Sequence, residues 1–200
     1  ALPELGHACA HNLICTMSVG AAIGVKEVLQ EINGTIIVLG CPAEDSSGVK
    51  ELLAGGKVYM IERGVFRDID VALMLHPYDE TALEVETTAL EALEFTYLGK
   101  AAHAAIEPWE GINALNAVIG LFNCINALRQ HLKPGISVHG IITEGGVVPN
   151  IVPERAQARF YVRAKDIYEL KDVVDKVINC AKASEIATGA KLIIRRFEHT

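Results

Sequence analysis

His7-Ala8-Cys9-Ala10-His11 places three metal-ligating side chains within five residues near the start of the chain. Thiolate and imidazole are the donors that hold zinc and similar divalent ions, whereas calcium and magnesium favour all-oxygen sets. Further along, Glu44-Asp45 supply two carboxylates and His76 another imidazole. Each feature alone has a plain structural explanation. A single C-x-H is more often packing than ligation, Glu-Asp after an apolar run is commonly a solvated turn, and a His ending such a run is commonly a hydrogen-bonded cap. Two rival chemistries explain less. A zinc finger needs a second Cys/His pair at ribbon spacing, which is missing. A Cys9 nucleophile with His11 as its base leaves Glu44, Asp45 and His76 without a use.

What these residues can do together depends on the elements that position them. Residues 12–31 carry Leu13, Met17, Val25, Val28 and Leu29 at helical spacing, with Asn12 as the expected N-cap and Asn33-Gly34 as the stop. Residues 35–40 (TIIVLG) and 71–76 (VALMLH) have no polar face, as expected of buried central strands in a parallel sheet. Residues 48–62 read as a helix interrupted at Gly55-Gly56. In parallel α/β sheets, sites form beyond the carboxyl ends of the strands. One strand would then deliver Glu44 and Asp45, the other would end on His76, and the loop before the first helix would bring Cys9 and His11 to the same rim. Two strands do not make a stable parallel sheet. Residues 1–88 are therefore expected to be an incomplete α/β domain, whose remaining strands come from further sequence or from a partner.

The order changes after residue 88. Residues 91–99 read as a strand. A helix follows over 112–132, with Ile112, Leu115, Ile119, Phe122, Ile125, Leu128 and Leu132 on one stripe, stopped by Lys133-Pro134-Gly135. Residues 137–144 read as a strand. Residues 155–164 alternate strictly, with Ala156, Ala158, Phe160 and Val162 on one face and Arg155, Gln157, Arg159, Tyr161 and Arg163 on the other. A helix over 167–188 and a strand over 190–197 complete a β-α-β-β-α-β order, the split βαβ or ferredoxin-like unit. The fold expected is thus an α/β domain, incomplete over 1–88, followed by an α+β ferredoxin-like domain over 89–200.

Composition narrows the partners. Eighteen Lys+Arg against 25 Asp+Glu give a net charge of −7, with no clustered basic run. An acidic surface without a basic patch argues against nucleic acid and anionic membranes. No apolar run approaches the roughly 20 residues that span a bilayer, and the first residues lack the pattern of a signal peptide. Of five irregularly spaced cysteines, four read as reduced, mostly buried thiols of a cytoplasmic protein, and Cys9 stands apart because it sits between two histidines.

The motifs ELGHACAHN, PAED, MLHP, GKAAHAA followed by PWEGINAL, HGIITEGG and PNIVP together resemble the metal-dependent amidohydrolases and peptidases related to aminoacylase and hippurate hydrolase. ELGHACAHN is similar to that family's GHACGHD/N signature, and PAED to its PAEE. The resemblance runs over essentially the whole chain. Around PWEGINAL and PNIVP it points to the subgroup of β-alanyl-lysine and Xaa-Arg dipeptidases.

The resemblance implies a role for each matching residue. Cys9 would bridge two divalent metal ions, zinc or manganese, with His11, Asp45 and His76 as the other ligands. Glu44 would be the general base. His103, in the lid unit, would reach an active site, usually the partner subunit's. Asn150 and Arg163 would hold the substrate's carboxylate. The activity implied is hydrolysis of an amide bond in a small peptide or N-acyl amino acid, with dipeptides ending in a basic residue as substrates and a homodimer joined through the lid domain. Three departures bear on this. Ala10 stands where the motif has Gly, Asp45 stands where it has Glu, and the family's last ligand His has no match within these 200 residues. The segment alone is therefore expected to be inactive. The alternative from another class is a non-catalytic dimerisation or binding protein built on this hydrolase fold.

Overall fold

A computed structural model describes residues 9–31, 33–43, 55–83 and 87–197. The chain divides into two compact units, one of Ala1–Glu44 with Gly56–Val85 and the other of Asp45–Gly55 with Glu86–Thr200.

The second unit is built on β1 (Ala89–Leu98), α3 (Ala114–Arg129), β2 (Ser137–Glu144), β3 (Arg155–Ala164), α4 (Ile167–Thr188) and β4 (Lys191–Arg196), preceded in the chain by α1 (His11–Val28) and α2 (Gly56–Glu62) of the first unit. The four strands form one antiparallel sheet in the order β2-β3-β1-β4. Leu93, Phe95 and Tyr97 of β1 stand opposite Phe160, Ala158 and Ala156 of β3 on one face. All six are buried, in a single core with Ala117, Val118, Leu121 and Ile125 of α3 and Leu170, Val173, Val177 and Ala181 of α4. Both helices therefore cover the same side of the sheet, which makes this a ferredoxin-like α+β unit.

The other side of the sheet is polar and held by charge. The Glu94 carboxylate, 5% exposed, accepts from Arg159 Nε at 2.7 Å and from Arg195 Nε at 3.1 Å. Gln157 donates to Thr96 at 2.9 Å. The helix ends follow local chemistry. Asp166 caps α4 by accepting from the amides of Tyr168 and Glu169, and Gly189 ends it at φ 76, a left-handed conformation glycine adopts without strain.

The second strand, the third and the second helix of this unit fall where the pattern of the chain puts them. The first helix differs. It spans Ala114–Arg129, not 112–132, because Asn113 accepts from the Asn116 amide and caps it, while Ile112 pairs with Lys100 in an isolated bridge. Its buried residues are Ala114, Ala117, Val118, Leu121 and Ile125, and Ile119 of the expected stripe is exposed. The rest of the expected stripe faces the core: Ile125 is buried, and Ile112, Leu115, Phe122, Leu128 and Leu132 pack against it half-buried, joined by the small Ala114 and Ala117.

In the first unit, α1 begins one residue before the expected cap. Ala10 sits at the N-cap with φ 54 and ψ 31, its carbonyl accepting from the amides of Leu13 and Ile14, and no side chain caps the helix. Of the expected helix over 48–62, α2 covers Gly56–Glu62 and residues 48–54 lie outside the described residues. The runs 35–40 and 71–76 are not buried strands here. Neither forms a β-ladder among the described residues, and Ile37 is 56% exposed and Leu73 92%. A central strand is buried only between neighbouring strands and under helices on both faces, and the described residues supply neither for these segments.

Candidate functional site

The left-handed backbone at Ala10 turns the chain sharply between Cys9 and the first residue of α1, His11. At the end of the 71–76 run stands His76. Its Nε2 lies 3.3 Å from Cys9 Sγ. The His11 ring meets the His76 ring edge-on, with centroids 6.4 Å apart. One ligand atom from each of Cys9, His11 and His76 falls within a set whose members are all within 4.8 Å of one another. These three residues belong to one unit, so a single local fold positions the set.

The hydrogen bonding prepares it. His76 Nδ1 lies 2.8 Å from the Pro77 carbonyl. A carbonyl only accepts, so Nδ1 carries the proton and the neutral ring leaves the Nε2 lone pair facing Cys9. Metal-binding imidazoles are commonly held this way, with the non-ligating nitrogen donating to a carbonyl. Tetrahedral zinc with bonds of roughly 2.3 Å to sulfur and 2.0 Å to nitrogen separates those two atoms by about 3.5 Å, close to the spacing found. The donor set thus fits a divalent ion of zinc type.

Glu44 and Asp45 lie outside the described residues. The chain reaches Ala43, φ 49, immediately before them.

The residues expected of the lid lie in the second unit. His103 sits in the loop after β1, exposed, its backbone bridged to Ile151. The Ala105 amide donates to His103 Nδ1 at 3.2 Å. That leaves Nε2–H of the neutral ring as a donor. The next amide, Ala104, donates to the Asn150 carbonyl at 3.0 Å. His103 and Asn150 are therefore brought together at one corner. Arg163 is not. It stands exposed near the end of β3, opposite Leu90 and Ser137. The His103–Asn150 loops join the other end of that strand, where the Gly99 amide donates to the Glu154 carbonyl. Arg163 lies eight residue steps along the strand from Arg155, roughly 26 Å at about 3.3 Å per step.

The sequence reading missed the Pro77 carbonyl and the Ala105 amide, which orient the two imidazoles. Both are backbone groups, and no residue type signals them.

Residues 89–187 match the family model described as the peptidase dimerisation domain. The whole chain is 42% identical over 203 residues to a Xaa-Arg dipeptidase of Mus musculus, covering 46% of that protein. Over 204 residues, again the whole chain, it is 39% identical to a Xaa-Arg dipeptidase of Homo sapiens, covering 45% of it. Among solved structures, a putative aminohydrolase from methicillin resistant Staphylococcus aureus superposes on 96% of the chain and 52% of its own, with a TM-score of 0.72 at 18% identity. The chain spans a little under half the length of the curated relatives it matches at highest identity.

Proposed function

Because the chain belongs to the peptidase family whose dimerisation domain it carries at residues 89–187, we propose that it is the lid and part of the metal-binding half of a metal-dependent amidohydrolase. Residues 1–88 are read as the partial catalytic domain and 89–200 as the lid. The substrate class is a dipeptide or N-acyl amino acid. A basic C-terminal residue is favoured by the likeness to a protein named Xaa-Arg dipeptidase. The carrying observation is the convergence of Cys9, His11 and His76, with His76 Nε2 left as a lone pair by the Pro77 carbonyl.

In this reading Cys9, His11, Asp45 and His76 hold two divalent ions, zinc or manganese. When bound, such ions polarise the scissile carbonyl and acidify water. Glu44 accepts the proton of the attacking water and returns it to the leaving amine. His103 donates from Nε2 to the developing oxyanion. The planar guanidinium of Arg163 takes a carboxylate through two parallel bonds, and Asn150 adds a further polar contact. His103 and Asn150 share one corner while Arg163 stands far along β3, so one small substrate does not span both within one lid. A homodimer, in which two lids contribute to each site, accommodates that separation. The five cysteines suit a reducing cytoplasm. Among the described residues no helix is long and apolar enough to cross a membrane.

The test uses the protein in its native reading frame. Cys9→Ala and His76→Ala should each lose bound metal, read by elemental analysis, and abolish the thiolate charge-transfer band of the cobalt(II)-loaded protein. Glu44→Gln should keep the metal and lower turnover on aminoacyl-arginine and β-alanyl-lysine dipeptides by about 10²–10⁴-fold. Asp45→Asn should weaken metal affinity, with activity partly recovered at high metal concentration. Unchanged metal content in Cys9→Ala overturns the metal site. A parent protein that binds no metal and cleaves no dipeptide establishes the non-catalytic scaffold instead.

A further inference from the structure

Two thiols in the lid unit have no part in the chemistry proposed above. Cys124 lies on α3 and Cys180 on α4, both half-buried and free. The topology sets them opposite each other. β1 and β3 are antiparallel, α3 runs back from the end of β1 and α4 from the end of β3, so the two helices are antiparallel too. Their closest approach is marked by Gly120, where an added Cβ would lie 2.4 Å from Ser184 Oγ, and by the Ser184 hydroxyl, which donates to the Ala117 carbonyl. One turn onward from Gly120 in α3 is Cys124. One turn back from Ser184 in α4 is Cys180. Packed helix axes lie about 8–10 Å apart, and with Cα atoms at a radius near 2.3 Å the facing Cα atoms come about 3.4–5.4 Å apart, which overlaps the ~4.4–6.8 Å range that a disulfide spans.

The electrostatics agree with that placement. Burial, and secondarily the neighbouring Cys124, push the Cys180 thiol up. Burial also raises the hydroxyl of Tyr97, which donates to the Ala181 carbonyl at 2.9 Å, and both cysteines add to that rise.

We propose that Cys124 and Cys180 form a redox pair that closes to an interhelical disulfide when the protein meets a small-molecule disulfide such as oxidised glutathione. One cysteine thiolate attacks the glutathione disulfide, forming a mixed disulfide and releasing one glutathione thiol. The second thiolate attacks the protein sulfur of that bond and releases the other. Two protein thiols are oxidised by two electrons, one glutathione disulfide is reduced to two thiols, and no other reactant is needed. The closed bond pins α3 to α4 and stiffens the lid. Because the Cys180 thiol is raised, the reaction is slow compared with that of an exposed thiolate.

The experiment incubates the full chain with oxidised glutathione, blocks free thiols and maps tryptic peptides without reduction. Expected is a cross-link joining peptides 101–129 and 177–182, with two hydrogens lost, and a higher thermal midpoint for the lid that reverts on adding a reductant. Cys124→Ser and Cys180→Ala should each abolish both the cross-link and the rise. The proposal is overturned if both cysteines of the wild-type chain remain alkylatable while exposed Cys15 is fully oxidised, if each carries glutathione with no bond between them, or if the rise persists in Cys124→Ser.

Discussion

Ala10 occupies a backbone conformation that an L-residue avoids, between two proposed metal ligands. A non-glycine residue in the left-handed region costs roughly 1–2 kcal/mol. Glycine would remove that strain but restores about 0.4–1 kcal/mol of unfolded-chain freedom. The net expectation for Ala10→Gly is a gain of a few tenths to about 1 kcal/mol, read by urea denaturation with a probe in the first unit. A loss of stability would mean that the methyl group makes contacts outweighing the strain. The positive φ at Ala10 was visible in the sequence only through comparison with the family motif, which has Gly there. Nothing in residue types or spacing marks that turn. Likewise Cys9, His11 and His76 were legible as donors that the fold brings together, while the Pro77 carbonyl that sets the His76 tautomer was not, because the contact belongs to the backbone.

Tyr97 ties β1 to α4 from inside the core. It is fully buried and donates to the Ala181 carbonyl. Burial holds its hydroxyl far above the ordinary value of about 10, with the Ser184 hydrogen bond opposing. Above pH about 10 the unfolded chain releases this proton while the folded lid keeps it. The unfolded state then binds fewer protons, so lid stability is complete below that pH and falls as pH rises beyond it. Tyr97→Phe should flatten the alkaline fall while costing about 1 kcal/mol near neutrality for the lost hydrogen bond. Thermal midpoints measured from pH 8 to 11 would show it, and equal slopes in both proteins would count against Tyr97 as the titrating group. At this scale β3 was the clearest element, because Ala156, Ala158, Phe160 and Val162 alternate without interruption with polar neighbours. α3 was less so. Its inward alanines carry little hydropathy, and the large residues that drew the expected stripe are partly at its margin. The runs 35–40 and 71–76 have strand composition, but composition cannot supply the neighbours a strand needs.

The molecule as a whole joins a closed, cored lid to a first unit with much exposed apolar surface. Val71, Leu73, Met74 and Leu75 are all more than half exposed. Hydrogen exchange should report the contrast. Amides of Leu93–Tyr97 and Ala156–Val162 should be the slowest, because both strands are central and flanked on either side. Those of 35–40 and 71–76 should exchange at least 10²-fold faster, as expected where no ladder protects them. Equal protection would show that these segments pair in solution. The strand order has a further consequence, for how the chain is made. Of the four strands, β1 leaves the ribosome first and ends up between β3 and β4, with Leu93 opposite Arg196 and Leu98 opposite Lys191. The β2–β3 hairpin can form early, but β1 must wait, one edge open, until about a hundred more residues have been synthesised. Closing so long a loop is slow. During translation the nascent lid therefore exposes the alternating apolar face of β1 and an unpaired strand edge, and that interval is when a chaperone has most to protect.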